Sequence, residues 1–147
     1  MRVRRWSLRR SALRTTDQMA FSTQTLATAA KVAAPDGSTV RILAVASGGS
    51  MAHFALPPHG VARAVRHRTV EELWLILSGR GRMWRCDSDT EDVVGLEHGV
   101  SLAIPCGTSF QFRSDSAEPL QAVGVTMPPW PGDDEACFVH GPWVATL

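Results

Sequence analysis

From residue 38 to residue 127 apolar and polar side chains alternate in short runs, and no long stretch carries a helical period. "STVRILAVA" (38–46) alternates around Val40, Ile42 and Ala44. "SMAHFAL" (50–56), Val61 to His67, Glu72 to Leu77 and "RMWRC" (82–86) continue the pattern, followed by "VSLAIP" (100–105), "SFQFR" (109–113) and "LQAVGVTM" (120–127). A period of two sends alternate side chains to opposite faces of a strand, so each run predicts a strand with one buried face. Gly, Pro and Asp clusters separate the runs: "PDG" at 35–37, "SGG" at 47–49, "PPHG" at 57–60 and "CGT" at 106–108. Many short strands divided by such turns predict an all-β protein, a small antiparallel barrel or a sandwich. "DSDTED" (87–92) reads as a polar loop, and residues 20–34 have no firm period.

The faces follow from the same alternation. Val65 and His67 share one face, Glu72 shares another with Trp74 and Ile76, and Phe110 pairs with Phe112 while Gln111 points away. In "SMAHFAL" the apolar run favours Phe54 inward and His53 outward. His59, His98 and His140 fall in turns or the tail and read as surface residues. The tail 128–147 lacks periodicity but holds Trp130, Phe138 and Trp143. It is expected to pack on the body, with a homodimer contact as the rival use.

Charge changes the picture only at the amino end. Residues 1–18 carry six arginines against Asp17 alone, a formal +5, while the other 129 residues hold nine basic and thirteen acidic side chains, −4. The first 18 residues are read as a basic, disordered leader or as sequence upstream of a true start at Met19, followed by an arm over 19–37. The mildly acidic body has no basic face for nucleic acid, and no apolar run is long enough to span a bilayer. Cys86, Cys106 and Cys137 form neither a disulfide framework nor a zinc pattern, so a reducing, cytoplasmic setting is expected.

Two segments resemble the conserved motifs of the cupin superfamily. Gly60 to Gly79 resembles the first: a glycine, two histidines one residue apart, a glutamate, and a glycine seven residues beyond it. Gly99 to Arg113, "GVSLAIPCGTSFQFR", resembles the second: a glycine, five residues, Pro-x-Gly, two residues and a histidine. The resemblance spans roughly 40–127 and implies a double-stranded β-helix, the jelly-roll barrel, over residues 38–127. It places His67 at the second histidine and Glu72 at the glutamate, but Val65 and Phe110 stand where two further metal-ligating histidines would be. Two ligands of four remain, whereas a catalytic metal usually needs three or more.

The interior of that barrel is therefore expected to be an apolar pocket, with Val65, Trp74, Ile76, Phe110 and Phe112 around two ionisable groups, His67 and Glu72. Such a pocket suits a small organic ligand better than a metal cage. The first expectation is thus a small-molecule-binding cupin without a cofactor. Its alternative is an enzyme: an isomerase or lyase using His67 and Glu72 in acid–base chemistry, or a dioxygenase with Fe, Mn, Ni or Zn. A third is a structural scaffold. The chain has no tyrosine, which excludes the Tyr proton donor that some metal-free cupin enzymes use.

Overall fold

The computed structural model describes residues 21–147; the basic leader expected over 1–18 lies outside them. Eleven strands follow in chain order: β1 (Lys31–Ala33), β2 (Thr39–Ala46), β3 (Gly49–Leu56), β4 (Val65–His67), β5 (Glu71–Ser78) and β6 (Gly81–Cys86). Then come β7 (Glu91–Leu96), β8 (Ser101–Ile104), β9 (Ser109–Ser114), β10 (Leu120–Met127), a 3-10 turn at Asp133–Glu135 and β11 (Ala136–Phe138). They form a six-stranded sheet, β1-β2-β3-β10-β5-β8, and a five-stranded sheet, β11-β4-β9-β6-β7. Every pairing is antiparallel.

The expected jelly-roll barrel is corrected by this topology. β8 pairs only with β5 and β7 only with β6, while β1 and β11 end the opposite edges. Neither sheet closes, so the architecture is two open antiparallel sheets, not a barrel. Alternation could not have made the distinction, because an open sheet with one buried face and a closed one impose the same period of two.

Local patterning accounts for most strands. On β5, Glu72, Trp74 and Ile76 are buried while Leu73, Leu75 and Leu77 are exposed. The core between the sheets is built from Leu56, Trp74, Ile76, Met83, Phe110, Phe112 and Leu120. Trp74 stacks on Phe54 at 4.6 Å between centroids and meets Phe112 edge-on at 5.0 Å. Both arrangements suit the charge distribution of aromatic rings.

Four elements depart from the sequence expectation. β1 forms within the unpatterned arm by pairing with β2. β11 forms within the tail by pairing with β4. β7 begins inside the acidic run expected as a loop, with Glu91 opposite Cys86 and Asp92 opposite Arg85. The Val61–His67 run is strand only from Val65, with a lone bridge between Val61 and Arg113.

The tail lies on its own chain. Gln111, pointing away from the core, donates to the Ala62 and Trp143 carbonyls and accepts from the Trp143 amide. Thr146 and Val61 bond each other. Among the described residues no helix is long and apolar enough to cross a membrane.

Candidate functional site

His67 ends β4 in one sheet and Glu72 lies on β5 in the other, so the connection Arg68–Val70 sets their separation. That connection is clamped from the tail. Glu135 accepts the amides of Thr69 and Val70 and the Thr69 hydroxyl, and the Arg68 amide donates to the Glu135 carbonyl. The result places His67 Nδ1 2.7 Å from Glu72 Oε1. Both side chains are buried, at 9% and 3% exposure. The contact is close, but Nδ1 makes no hydrogen bond of good angular geometry. Glu72 Oε1 therefore lies near the imidazole without lying on its N–H axis. The other glutamate oxygen, Oε2, accepts from the Trp74 indole. Nδ1 faces Glu72. The imidazole is walled by Phe110 and Trp130, whose rings meet it edge-on at 5.2 and 5.0 Å.

This pair opens onto a cavity of ≈ 290 Å³ between the sheets. Its walls include Phe54, Val65, Trp74, Phe110 and Trp130, and its ionisable lining is Asp36, His67, Glu72 and Asp133. Among the described residues no lysine or arginine lines it. Of the residues expected to surround a pocket, Val65, Trp74 and Phe110 form its wall, whereas Ile76 and Phe112 lie in the core outside that wall. His53, expected outward, is instead buried at 6% exposure; it is not part of the cavity wall and pairs with Gln121 at 3.0 Å. His98 bonds the Leu77 carbonyl, and His59 and His140 are exposed.

Two cavity residues were not legible as such. Trp130 sits in the unpatterned tail. Asp36 sits in "PDG", where the turn signal was visible but its burial was not; it is 6% exposed. Burial pushes the Asp36 carboxyl above the ordinary aspartate range, the Ser38 hydroxyl and amide pull it back, the Glu72 charge raises it again, and His67 lowers it.

For Glu135, burial alone would raise the carboxyl, but the Thr69 and Val70 amides, the Thr69 hydroxyl and the nearby His67 hold it below its ordinary 4.5. A depressed carboxyl stabilises the fold above that value, and the stabilisation is lost as pH falls through the folded value. Glu135→Gln is expected to cost about 2 kcal/mol near neutral pH, the scale of hydrogen bonds to a charged group. In thermal denaturation the gap between variant and wild type should narrow below 4.5; a gap independent of pH would remove the charge from this account.

Val65 and Phe110 supply none of the missing metal ligands, and no group of three or more His, Cys, Asp or Glu side chains among the described residues is placed to hold a metal ion. Cys86, Cys106 and Cys137 are all free.

A family model described as a cupin domain matches residues 52–126. No curated protein sequence matches the chain significantly. Among solved structures, a Klebsiella pneumoniae protein described as having a double-stranded beta-helix domain is 14% identical, with 71% of this chain and 85% of that one covered and a TM-score of 0.60. Oxalate decarboxylase from Bacillus subtilis is 13% identical over 77% of this chain and 30% of that one, TM-score 0.67. A variant of PAC13 from Streptomyces, determined with uridine, is 11% identical over 82% and 92%, TM-score 0.65. At these identities the likeness shows the fold alone.

Proposed function

We infer, from the premise that the chain belongs to the cupin family, that it is a small acid–base enzyme moving a proton beside the carbonyl group of an uncharged organic molecule. The observation that carries this is the buried His67–Glu72 pair at 2.7 Å on the wall of a cavity that, among the described residues, no lysine or arginine lines. Glu72, 2.7 Å from Nδ1, stabilises the imidazolium that forms when Nε2 accepts a proton, as a carboxylate behind a histidine does in other general bases. Phe54, Trp74, Phe110 and Trp130 supply flat apolar surface for binding and keep water from the base.

The cavity's charge selects the substrate. Among the described residues its ionisable lining is three carboxyl groups and one imidazole, so an anionic substrate would meet there no cation beyond a protonated His67 and would face repulsion at low dielectric. Oxalate, the substrate that names one relative, is a poor fit on this ground. Uridine, present with another, is an uncharged ring compound and a better guide to the class. A binding role without catalysis would use the same aromatic walls but would not need the buried pair, which is costly to desolvate.

The test is proton exchange in heavy water. Phenylacetone, an uncharged ketone with an acidic C–H, and phenylpyruvate, its anionic counterpart, are followed by proton NMR with and without the full chain. Exchange into phenylacetone is expected at about 10²-fold above buffer, within the usual range of general-base catalysis, with phenylpyruvate far behind. Binding of the ketone, seen as quenched tryptophan fluorescence, without any exchange would reduce the protein to a binding module. Preference for the anion would refute the substrate class.

A further inference from the structure

Proton abstraction beside a carbonyl leaves a developing negative charge on oxygen, and a site that supplies a base needs a donor for that oxygen. The chain has no tyrosine to serve. The dyad cannot supply it, since His67 is the base and both Glu72 oxygens are engaged, one near His67 and one by Trp74. Among the described residues the remaining buried ionisable group on the cavity wall is Asp36.

Asp36 has a turn-forming duty that accounts for only one of its oxygens. Oδ1 accepts both the Ser38 amide, at 2.8 Å, and the Ser38 hydroxyl, at 2.6 Å. That bonding is an ordinary aspartate turn and would serve equally well on the surface. Here the turn is buried instead. The Asp36 carbonyl accepts the Arg63 amide, and Gly37, at φ 91, has Leu147 packed against it, so close that a Cβ there would lie 2.7 Å from the Leu147 side chain. The charged neighbours leave the carboxyl without a cationic partner among the described residues. Arg63 directs its guanidinium to the Leu147 carbonyl and the face of Phe138. Glu72, across the cavity wall, carries the same sign as an ionised Asp36, Asp133 is exposed at the rim, and the one opposing group is His67 when protonated.

We propose that Asp36 is the proton donor of this site, holding a proton on the cavity wall and giving it to the substrate's carbonyl oxygen as His67 takes the proton from the adjacent carbon. This rests on the acid–base reading above. In the forward step the C–H bond breaks, its proton passes to His67 Nε2, and its electron pair becomes the C=C bond of an enol. The carbonyl π pair takes the Asp36 proton as a new O–H bond. On return the enol proton goes back to Asp36 and the imidazolium gives a proton to carbon, at the original position or, in a conjugated substrate, at another. Both side chains are regenerated and no oxidant or reductant is consumed. Burial and the Glu72 charge push the Asp36 carboxyl above its ordinary range, against the pull of the Ser38 hydrogen bonds and of His67.

The experiment joins infrared spectroscopy to the exchange assay, on the full chain and on Asp36→Asn. Asparagine keeps a carbonyl oxygen for both Ser38 bonds, so the turn and the fold are retained, which a thermal melt verifies. Wild type should show a protonated-carboxyl band near neutral pH that is missing from Asp36→Asn and moves to lower frequency when phenylacetone is added. Asp36→Asn should bind the ketone within about threefold of wild type by fluorescence, yet exchange it about 100-fold more slowly, the loss expected on removing a positioned acid. A missing band, a band unmoved by bound ketone, or wild-type exchange in Asp36→Asn would each overturn the proposal. A band that moves while wild type exchanges nothing would uphold Asp36 as the donor to the carbonyl and reject the reaction. If phenylacetone does not bind, the free protein decides: a neutral-pH carboxyl band lost in Asp36→Asn supports the assignment, and its absence refutes it.

Discussion

Gly79→Val is expected to leave little folded protein. Gly79 directly follows β5 at φ 79, and a Cβ there would lie 2.4 Å from the Pro119 carbonyl oxygen and 2.8 Å from the Leu120 Cα. Both obstacles are backbone, so no rotamer change relieves them. A β-branched residue held at positive φ adds its own strain, and together the two effects should cost about 4 kcal/mol or more. That is a large share of the stability of a domain this size, typically about 5–15 kcal/mol. Gly99→Val supplies the control. Gly99 also has positive φ, 85, but nothing lies within 4 Å of its Cβ position. Its cost should be limited to the backbone term, about 1–2 kcal/mol. Urea denaturation of both variants separates close approach from conformation. Equal losses would mean that the β5–β6 turn yields to Pro119 more easily than the packing implies.

The second large effect is chemical. His67→Gln should lower ketone exchange by about 10³-fold, because glutamine fills similar space but has no lone pair basic enough to take the proton. Glu72→Gln should lose less, about 10–100-fold, since the base survives but the imidazolium loses its counter-charge. The double variant should be no slower than His67→Gln, because residues acting as one unit are not additive. Ketone affinity should change little in His67→Gln, as binding rests on Trp74, Phe110, Phe54 and Trp130. A His67→Gln chain that exchanges as fast as wild type would move the base elsewhere.

What the sequence disclosed and what it concealed divide along one line. Features set by local alternation were legible: the buried face of β5 and His67 brought to Glu72 across a five-residue step, whereas His53, expected outward, is buried against Gln121. Features set by distant partners were not. β11 exists because β4 offers it an edge, and β1 because β2 does. Trp130 reaches His67 through a tail with no period. Asp36 is buried by Arg63 and Leu147, far away in sequence, which a "PDG" signal cannot report. Whether the sheets close depends on which strands pair at their edges, and the expectation of a barrel failed there. The two glycine-proline frames carried the family, while Val65 and Phe110 within them already showed that the ligand set was incomplete.

The central claim is that a cupin with two of four ligand positions filled does acid–base chemistry through His67 and Glu72 without a resident metal. The most direct measurement follows phenylacetone exchange by the full chain before and after exhaustive treatment with a chelator, with bound metals counted by elemental mass spectrometry on the same samples. The account predicts an unchanged rate with metal far below one ion per chain in both. A rate abolished by the chelator and restored by iron, manganese, nickel or zinc at about one ion per chain would contradict it, because a bound ion would then generate or assist the base.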